Sequence, residues 1–280
     1  MDIAVHIPIY YIEERTIYIH KILNSLSKIK HNIQVFIYSN ENFDLCYNCN
    51  NIQVQLIKLK VLNHKRRFVW RFDKSRRMSL DKLPILLKTY IDPYYLTWAN
   101  RMYVVKYVNL FDVQIYLEDD IGFTKKTFDY WLYHKDFGID NDYNIGFLRF
   151  EIDETNKMQY YTDLYKIPKK IIKISNKLFL LNDINPYCGF WIYDKNELKK
   201  FINSREWRFK IDKYETREKS AIGWNSKKMK RYKGTIIPLK RIKEKTYTID
   251  DACTVHHYSN NYINNPNFSL VQFPIKLNIE

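Results

Sequence analysis

Asp112-Val113-Gln114-Ile115-Tyr116-Leu117-Glu118-Asp119-Asp120-Ile121-Gly122 carries the most information in this chain. Residues 112–117 have the β-branched and aromatic content of a strand, and the run ends abruptly in three acids. Like charges on adjacent residues repel, and at the end of a buried strand they are tolerated mainly where a cation neutralises them. Oxygen donors point to a hard divalent ion, Mn2+ or Mg2+. Ligands of open α/β sheets bind beyond the carboxyl ends of the strands, so the position suits the chemistry. The competing reading is a solvated acidic turn in which Asp120 caps a helix starting near Thr124.

Outward from this stretch, strand and helix signals alternate. Upstream, Ile3–Ile9 is a short apolar run, and Thr16–Ile29 carries Ile17, Ile22, Leu23 and Leu26 near helical spacing. Gln34–Tyr38 and Val54–Leu59 are β-rich runs bounded by polar loops, and Leu83–Tyr107 reads as helical with a break at Asp92-Pro93. Downstream, Thr124–Tyr133 resumes a helical pattern; Ile145–Phe150, Gly189–Tyr193 and Thr235–Leu239 read as strands, and Glu197–Ile202 as a helix. The alternation predicts a three-layer α/β domain that closes on Thr254-Val255-His256-His257.

Composition narrows the function classes. The 280 residues carry 46 Lys plus Arg against 31 Asp plus Glu, hence 46 − 31 = +15, yet 46% are apolar and 16% aromatic, which excludes a disordered basic tail. Six glycines leave no room for the glycine-rich phosphate loops of dinucleotide-binding or P-loop proteins. The first residues open with Asp2 where a secretory leader needs a basic region, and their apolar run is cut at Glu13. No later run approaches the length that spans a bilayer, so a cytoplasmic protein with at most peripheral membrane contact is expected. Four scattered cysteines fit a reducing compartment, and Cys46-Tyr47-Asn48-Cys49 lacks the second pair a structural zinc site needs.

Three further constellations bear on chemistry. One imidazole of His256-His257 would complete a manganese shell of carboxylate and diphosphate oxygens. Neighbouring strand residues point to opposite sides, so at most one takes part. Glu215 and Glu218, in the charged run Tyr214–Lys219, offer a general base away from the metal, or simply a helix face with internal ion pairs. The block Lys65–Arg77, with Phe68, Trp70 and Phe72 interleaved, suits a loop closing over a diphosphate. A nucleic-acid groove is the minority reading, because no zinc-finger, RNA-recognition or homeodomain pattern accompanies it.

Taken together, Ile115–Ile121 followed by Phe128-Asp129-Tyr130-Trp131 resembles the strand, acidic triplet and helix at the metal site of nucleotide-sugar glycosyltransferases of the GT-A fold, in particular N-acetylglucosaminyltransferase-I-like enzymes. Asn185–Trp191 is similar to their acceptor-side loop and strand, and His256 or His257 to a late histidine that several such families place on the metal. Leu96-Thr97-Trp98 through Arg101, with the triplet and Pro186–Trp191, also looks like an uncharacterised microbial and viral glycosyltransferase-like group. The triplet is Glu-Asp-Asp where Asp-x-Asp is commoner.

The resemblance implies a Rossmann-like α/β/α domain with a mixed, mainly parallel central sheet over residues 1–262. The nucleotide-binding half would run to about 122 and the acceptor half from 123, with 263–280 as a tail. It implies transfer of a sugar from a nucleoside-diphosphate sugar to a hydroxyl acceptor such as a glycan, inverting by preference, with Mn2+ or Mg2+ as cofactor. Asp120 would hold the metal, with Glu118, His256 and His257 as further candidates. His6, Pro8, Tyr10, Ser39, Asn40, Arg101, Glu118 and Asp119 would bind the sugar nucleotide, and Tyr187, Gly189 and Trp191 the acceptor. Glu218, with Glu215 as second choice, would take the acceptor proton. Two rival classes share the same residues: a metal-dependent phosphohydrolase or nuclease acting with water, and a basic nucleic-acid-binding protein whose affinity falls with salt.

Overall fold

The structure is a computed structural model and describes residues 1–59, 63–64, 90–91, 95–204, 207, 234–263 and 265–279. The basic block Lys65–Arg77, residues 83–89 and 92–94 of the helix expected over Leu83–Tyr107, and Glu215 and Glu218 lie outside the described residues; of that expected helix Tyr90–Ile91 is instead a strand, and only the part from Tyr95 on is helical.

In chain order the first half runs β1 (Asp2–Ile9), α1 (Thr16–Leu26), β2 (Asn32–Ser39), β3 (Ile52–Lys58), a short pair β4 (Asn63–His64) and β5 (Tyr90–Ile91), α2 (Tyr95–Ala99), α3 (Arg101–Tyr107) and β6 (Val113–Leu117). The second half runs β7 (Ile121–Gly122), α4 (Lys125–Asp140), β8 (Tyr143–Ile145), β9 (Leu148–Ile152), β10 (Gln159–Tyr161), β11 (Ile171–Ile174), β12 (Lys177–Leu181), β13 (Phe190–Asp194) and α5 (Lys195–Asn203). It closes with β14 (Gly234–Lys243), β15 (Thr246–Ile249), β16 (Thr254–His257), β17 (Val271–Gln272) and β18 (Lys276–Asn278).

The central sheet has the order β13-β6-β1-β2-β3. β3, β2, β1 and β6 are parallel, and β13 closes the edge antiparallel to β6. This is the expected Rossmann-like, mixed and mainly parallel arrangement. The period of two in β1 explains the layers. Ile3, Val5, Ile7 and Ile9 face Ile19, Ile22, Leu23 and Leu26 of α1 in one core cluster. Ala4 packs in a second cluster with Phe36 and Tyr38, on which Tyr103 and Tyr107 of α3 rest. Each such side chain buried on either face contributes about 1.5–3 kcal/mol, so the strands read as nearly continuous apolar runs.

Strand order reverses at β1, whose neighbours β2 and β6 follow it by different crossovers; the crevice beyond the carboxyl ends of β1 and β6 is therefore where such a sheet takes a ligand. There is a second sheet, β17-β10-β9-β16-β7, whose strand β7 follows the acidic end of β6 directly, and a third built on β11-β12-β14-β15-β18. The single strand expected over Ile145–Phe150 is two, because the chain leaves β14 at Ile145 and joins β16 from Leu148. Gly146 makes the switch: a Cβ there would stand 2.7 Å from Thr235 Cγ2 and 2.9 Å from Ile237 Cγ1. The stretch expected as a tail is woven in, with β17 on β10 and β18 on β15. The four cysteines are free, and among the described residues no helix is long and apolar enough to cross a membrane.

Candidate active site

The triplet is the hinge between the central and second sheets. Glu118 N–H donates to Gly189 O at 2.9 Å, continuing the β6–β13 ladder by one residue, and Ile121 N–H then turns back to Glu118 O at 3.2 Å. β7 follows at once and pairs with β16, so that Tyr258 N–H reaches Asp120 O at 2.8 Å. Glu118, Asp119 and Asp120 are 2, 4 and 2% exposed, which sets aside the solvated-turn reading. The helix cap expected at Asp120 belongs to Thr124, whose hydroxyl accepts from Thr127 N–H at 3.2 Å. The main-chain turn leaves three carboxylates together inside the protein, two of which share Arg15.

Asp119 is gripped by Arg15, which donates from Nε at 2.6 Å and from a terminal nitrogen at 2.7 Å; the same nitrogen lies 3.2 Å from Asp120. This two-point fork is the strongest form of guanidinium–carboxylate pairing. Burial opposes the charge on Arg15, but Asp119 and Asp120 outweigh it and hold the guanidinium more firmly protonated. Glu118 accepts from the Tyr187 hydroxyl. Asp120 faces His257, whose Nε2 is 3.4 Å from its carboxylate. His257 Nδ1 donates to Glu151 at 2.6 Å, and Glu151, wholly buried, also accepts from Tyr262 N–H at 2.9 Å. Ser259 Oγ lies 3.0 Å from His257 Nε2. Burial alone would lower the His257 pKa, yet its bonds to Asp120 and Glu151 carry it above the ordinary value.

The remaining expected residues divide into those at the crevice and those built into the core. Tyr187 stands on the triplet, and Gly189, with φ +75°, brings β13 against it. A Cβ at that position would meet Ile121 Cδ1 at 2.7 Å and Glu118 Oε2 at 3.3 Å. Tyr10 and Asn40 end β1 and β2, where Asn40 Oδ1 accepts from Tyr11 N–H at 2.7 Å. Ser39 is buried and its hydroxyl accepts from Glu41 N–H at 3.2 Å. Pro8 is buried within β1.

His6 does not reach the crevice. Both ring nitrogens are used inside the core, Nδ1 with the Tyr38 hydroxyl at 2.7 Å and Nε2 with Gln114 at 2.8 Å, and burial pushes its pKa down to about 4. Trp191 is 4% exposed and stacked between Tyr116 and Tyr193, a core position that offers an acceptor no ring face. Arg101 is seated under Trp207, 3.9 Å from its ring centre, and burial pushes its pKa down to about 9. His256 points away from His257 and stacks on Phe150 at 4.9 Å, as the alternation of a strand requires.

Four residues of the cluster escaped the reading of the sequence: Arg15, Arg149, Glu151 and Asp163. Arg149 forks onto Asp163 at 2.9 and 2.8 Å and lies close enough to Glu118 to feel its charge. A signal existed for two of them. In Leu148-Arg149-Phe150-Glu151-Ile152 the charges alternate with apolar residues, and both charged side chains face inward, 5 and 0% exposed.

No protein-family model matches the sequence, and a comparison with curated proteins finds no match. Among solved structures the chain is similar to S. aureus TarS 1–349, a glycosyltransferase, at 14% identity and a TM-score of 0.38. The match covers 79% of this chain and 53% of that one, so this chain spans about half the length of its neighbour. A TM-score of that size carries no argument about chemistry.

Proposed function

We propose that the chain is a metal-dependent glycosyltransferase that moves a sugar from a nucleoside-diphosphate sugar to a hydroxyl acceptor, a glycan by preference, with inversion. The observation that carries this reading is the buried chain of contacts Glu151–His257–Asp120 at the carboxyl end of β6, beside β1, where the order of the central sheet reverses.

A histidine that binds a metal through one nitrogen commonly donates its other N–H to a carboxylate, as His257 does to Glu151. Among the described residues Asp120 and His257 would supply two donors. One carboxylate oxygen with one imidazole fits Mn2+, whose remaining positions go to phosphate oxygens and water. When bound, such an ion offsets the negative charge that develops on a departing diphosphate.

The other roles follow from what each side chain touches. Arg15 fixes Asp119 and keeps a cation beside the triplet. Tyr187 holds Glu118 in place for a hydroxyl of the sugar nucleotide, with Arg149, paired to Asp163, adding positive charge nearby. Tyr10 and Asn40 flank the crevice where the nucleotide base would lie. Glu218, or Glu215, remains the proposed base for the acceptor hydroxyl.

Thermal unfolding with Mn2+ and a panel of nucleoside diphosphates tests the reading. At a hundredfold excess over Kd a bound ligand adds about 2.7 kcal/mol, or about 5 °C or more in Tm. Asp120→Asn should abolish the shift while leaving the ligand-free Tm within a few degrees. A wild-type protein indifferent to every nucleoside diphosphate with Mn2+ would overturn the proposal.

A further inference from the structure

A concavity with none of the candidate-site residues in its lining opens along α4. It is a groove of about 1200 Å3 between α4, the β11–β12 hairpin and the β14–β15 hairpin. Single small ligands fill pockets of about 300–1,000 Å3, so an open groove of this size suits a chain more than a monomer. Its cations are Lys125, Lys126, Lys173, Lys177, Lys240 and Arg241, against three carboxylates, Asp129, Asp250 and Asp251, hence 6 − 3 = +3. Each carboxylate has a cation of its own: Lys125 for Asp129, Lys126 for Asp251 and Lys240 for Asp250. Lys173, Lys177 and Arg241 are exposed, and among the described residues none of them makes an ion pair.

We infer that this groove binds an acidic glycan chain. The three cations on the two hairpins suit carboxylate or phosphate groups, and the paired carboxylates suit hydroxyls, which donate to them. A uniformly anionic backbone would meet those carboxylates as repulsion. Tyr133, 77% exposed, and the half-buried Tyr247 offer an apolar ring face with a polar rim. Single-stranded nucleic acid uses successive aromatic platforms, and one open ring with a half-buried second does not make such a series. Lys125 follows Asp120 by five residues and Asp251 precedes His257 by six, so short segments of chain join the groove to the candidate site. As the surface that holds an acceptor the groove rests on the transferase reading; as a binding site it rests on its own charge and shape.

The test is equilibrium binding of fluorescent oligogalacturonate and phosphomannan oligosaccharides, with neutral mannan and oligo(dT) as competitors. Either acidic glycan should bind, neutral mannan should not compete, and oligo(dT) should compete more weakly. The triple variant Lys173→Glu, Lys177→Glu, Arg241→Glu should bind about tenfold or more weakly, three exposed pairs being lost. All three sites are exposed, so its Tm should hold, and so should its response to Mn2+ with nucleoside diphosphate. That response reads the transferase proposal separately. Binding of neither acidic glycan, equal affinity in the triple variant, or oligo(dT) binding as tightly as the glycans would overturn the inference.

Discussion

Glu151→Gln probes the proposed metal site without touching a proposed ligand. Glu151 is wholly buried and makes three contacts, with His257 Nδ1 at 2.6 Å and with Tyr262 N–H at 2.9 and 3.2 Å. A glutamine carbonyl still accepts from either donor, so the fold is kept, but the negative charge that orients His257 and makes it more basic is removed. Loss of such a supporting carboxylate lowers metal affinity about 10- to 100-fold, or about 1.4–2.7 kcal/mol. The assay is Mn2+ titration followed by electron paramagnetic resonance of the free ion, with and without a nucleoside diphosphate. Tm in the absence of metal, measured alongside, separates a lost fold from a lost site. A folded variant whose Mn2+ affinity stays within twofold of wild type would refute the argument that His257 is a ligand held in place by Glu151.

Other perturbations read neighbouring parts of the same structure. Arg15→Met leaves Asp119 and Asp120 buried without their guanidinium, and urea unfolding should show a loss of about 3–5 kcal/mol; a loss below 1 kcal/mol would mean that the fork is dispensable. Gly189→Ala forces a Cβ into the left-handed region and against Ile121, and should cost about 1–2 kcal/mol or more by the same measurement. His6 has a folded pKa near 4 against 6.5 when unfolded, so the unfolded chain takes up the proton first as pH falls. The stability it contributes is complete above pH 6.5 and is lost progressively towards pH 4, by about 2.5 kcal/mol at pH 4.5. His6→Gln, able to hydrogen-bond both Tyr38 and Gln114, should lose that much less between pH 7 and 4.5 in urea titrations, and equal losses would argue against a neutral buried imidazole.

The alternating elements were legible along the chain because their causes are local. The apolar and β-rich runs of β1, β2 and β6 and the helical spacing in α1 each lie within a dozen residues. The split at Gly146 and the short strands β10, β11, β15, β17 and β18 were not legible. Their residues are mixed in character, and it is pairing with strands distant in sequence that makes them strands.

For the candidate site, the sequence by itself determined that three acids end a buried strand and that at most one of two adjacent histidines joins them, since charge and strand alternation need no partner to be read. Only the tertiary structure decided which histidine, and what stands against each acid. Arg15 meets Asp119 across 104 residues and Glu151 meets His257 across 106, and His6 is held in the core by Gln114 across 108 and Trp191 by Tyr116 of the neighbouring strand. Such pairings depend on sheet order and register, which turn on the burial of whole layers and not on any short run of residues.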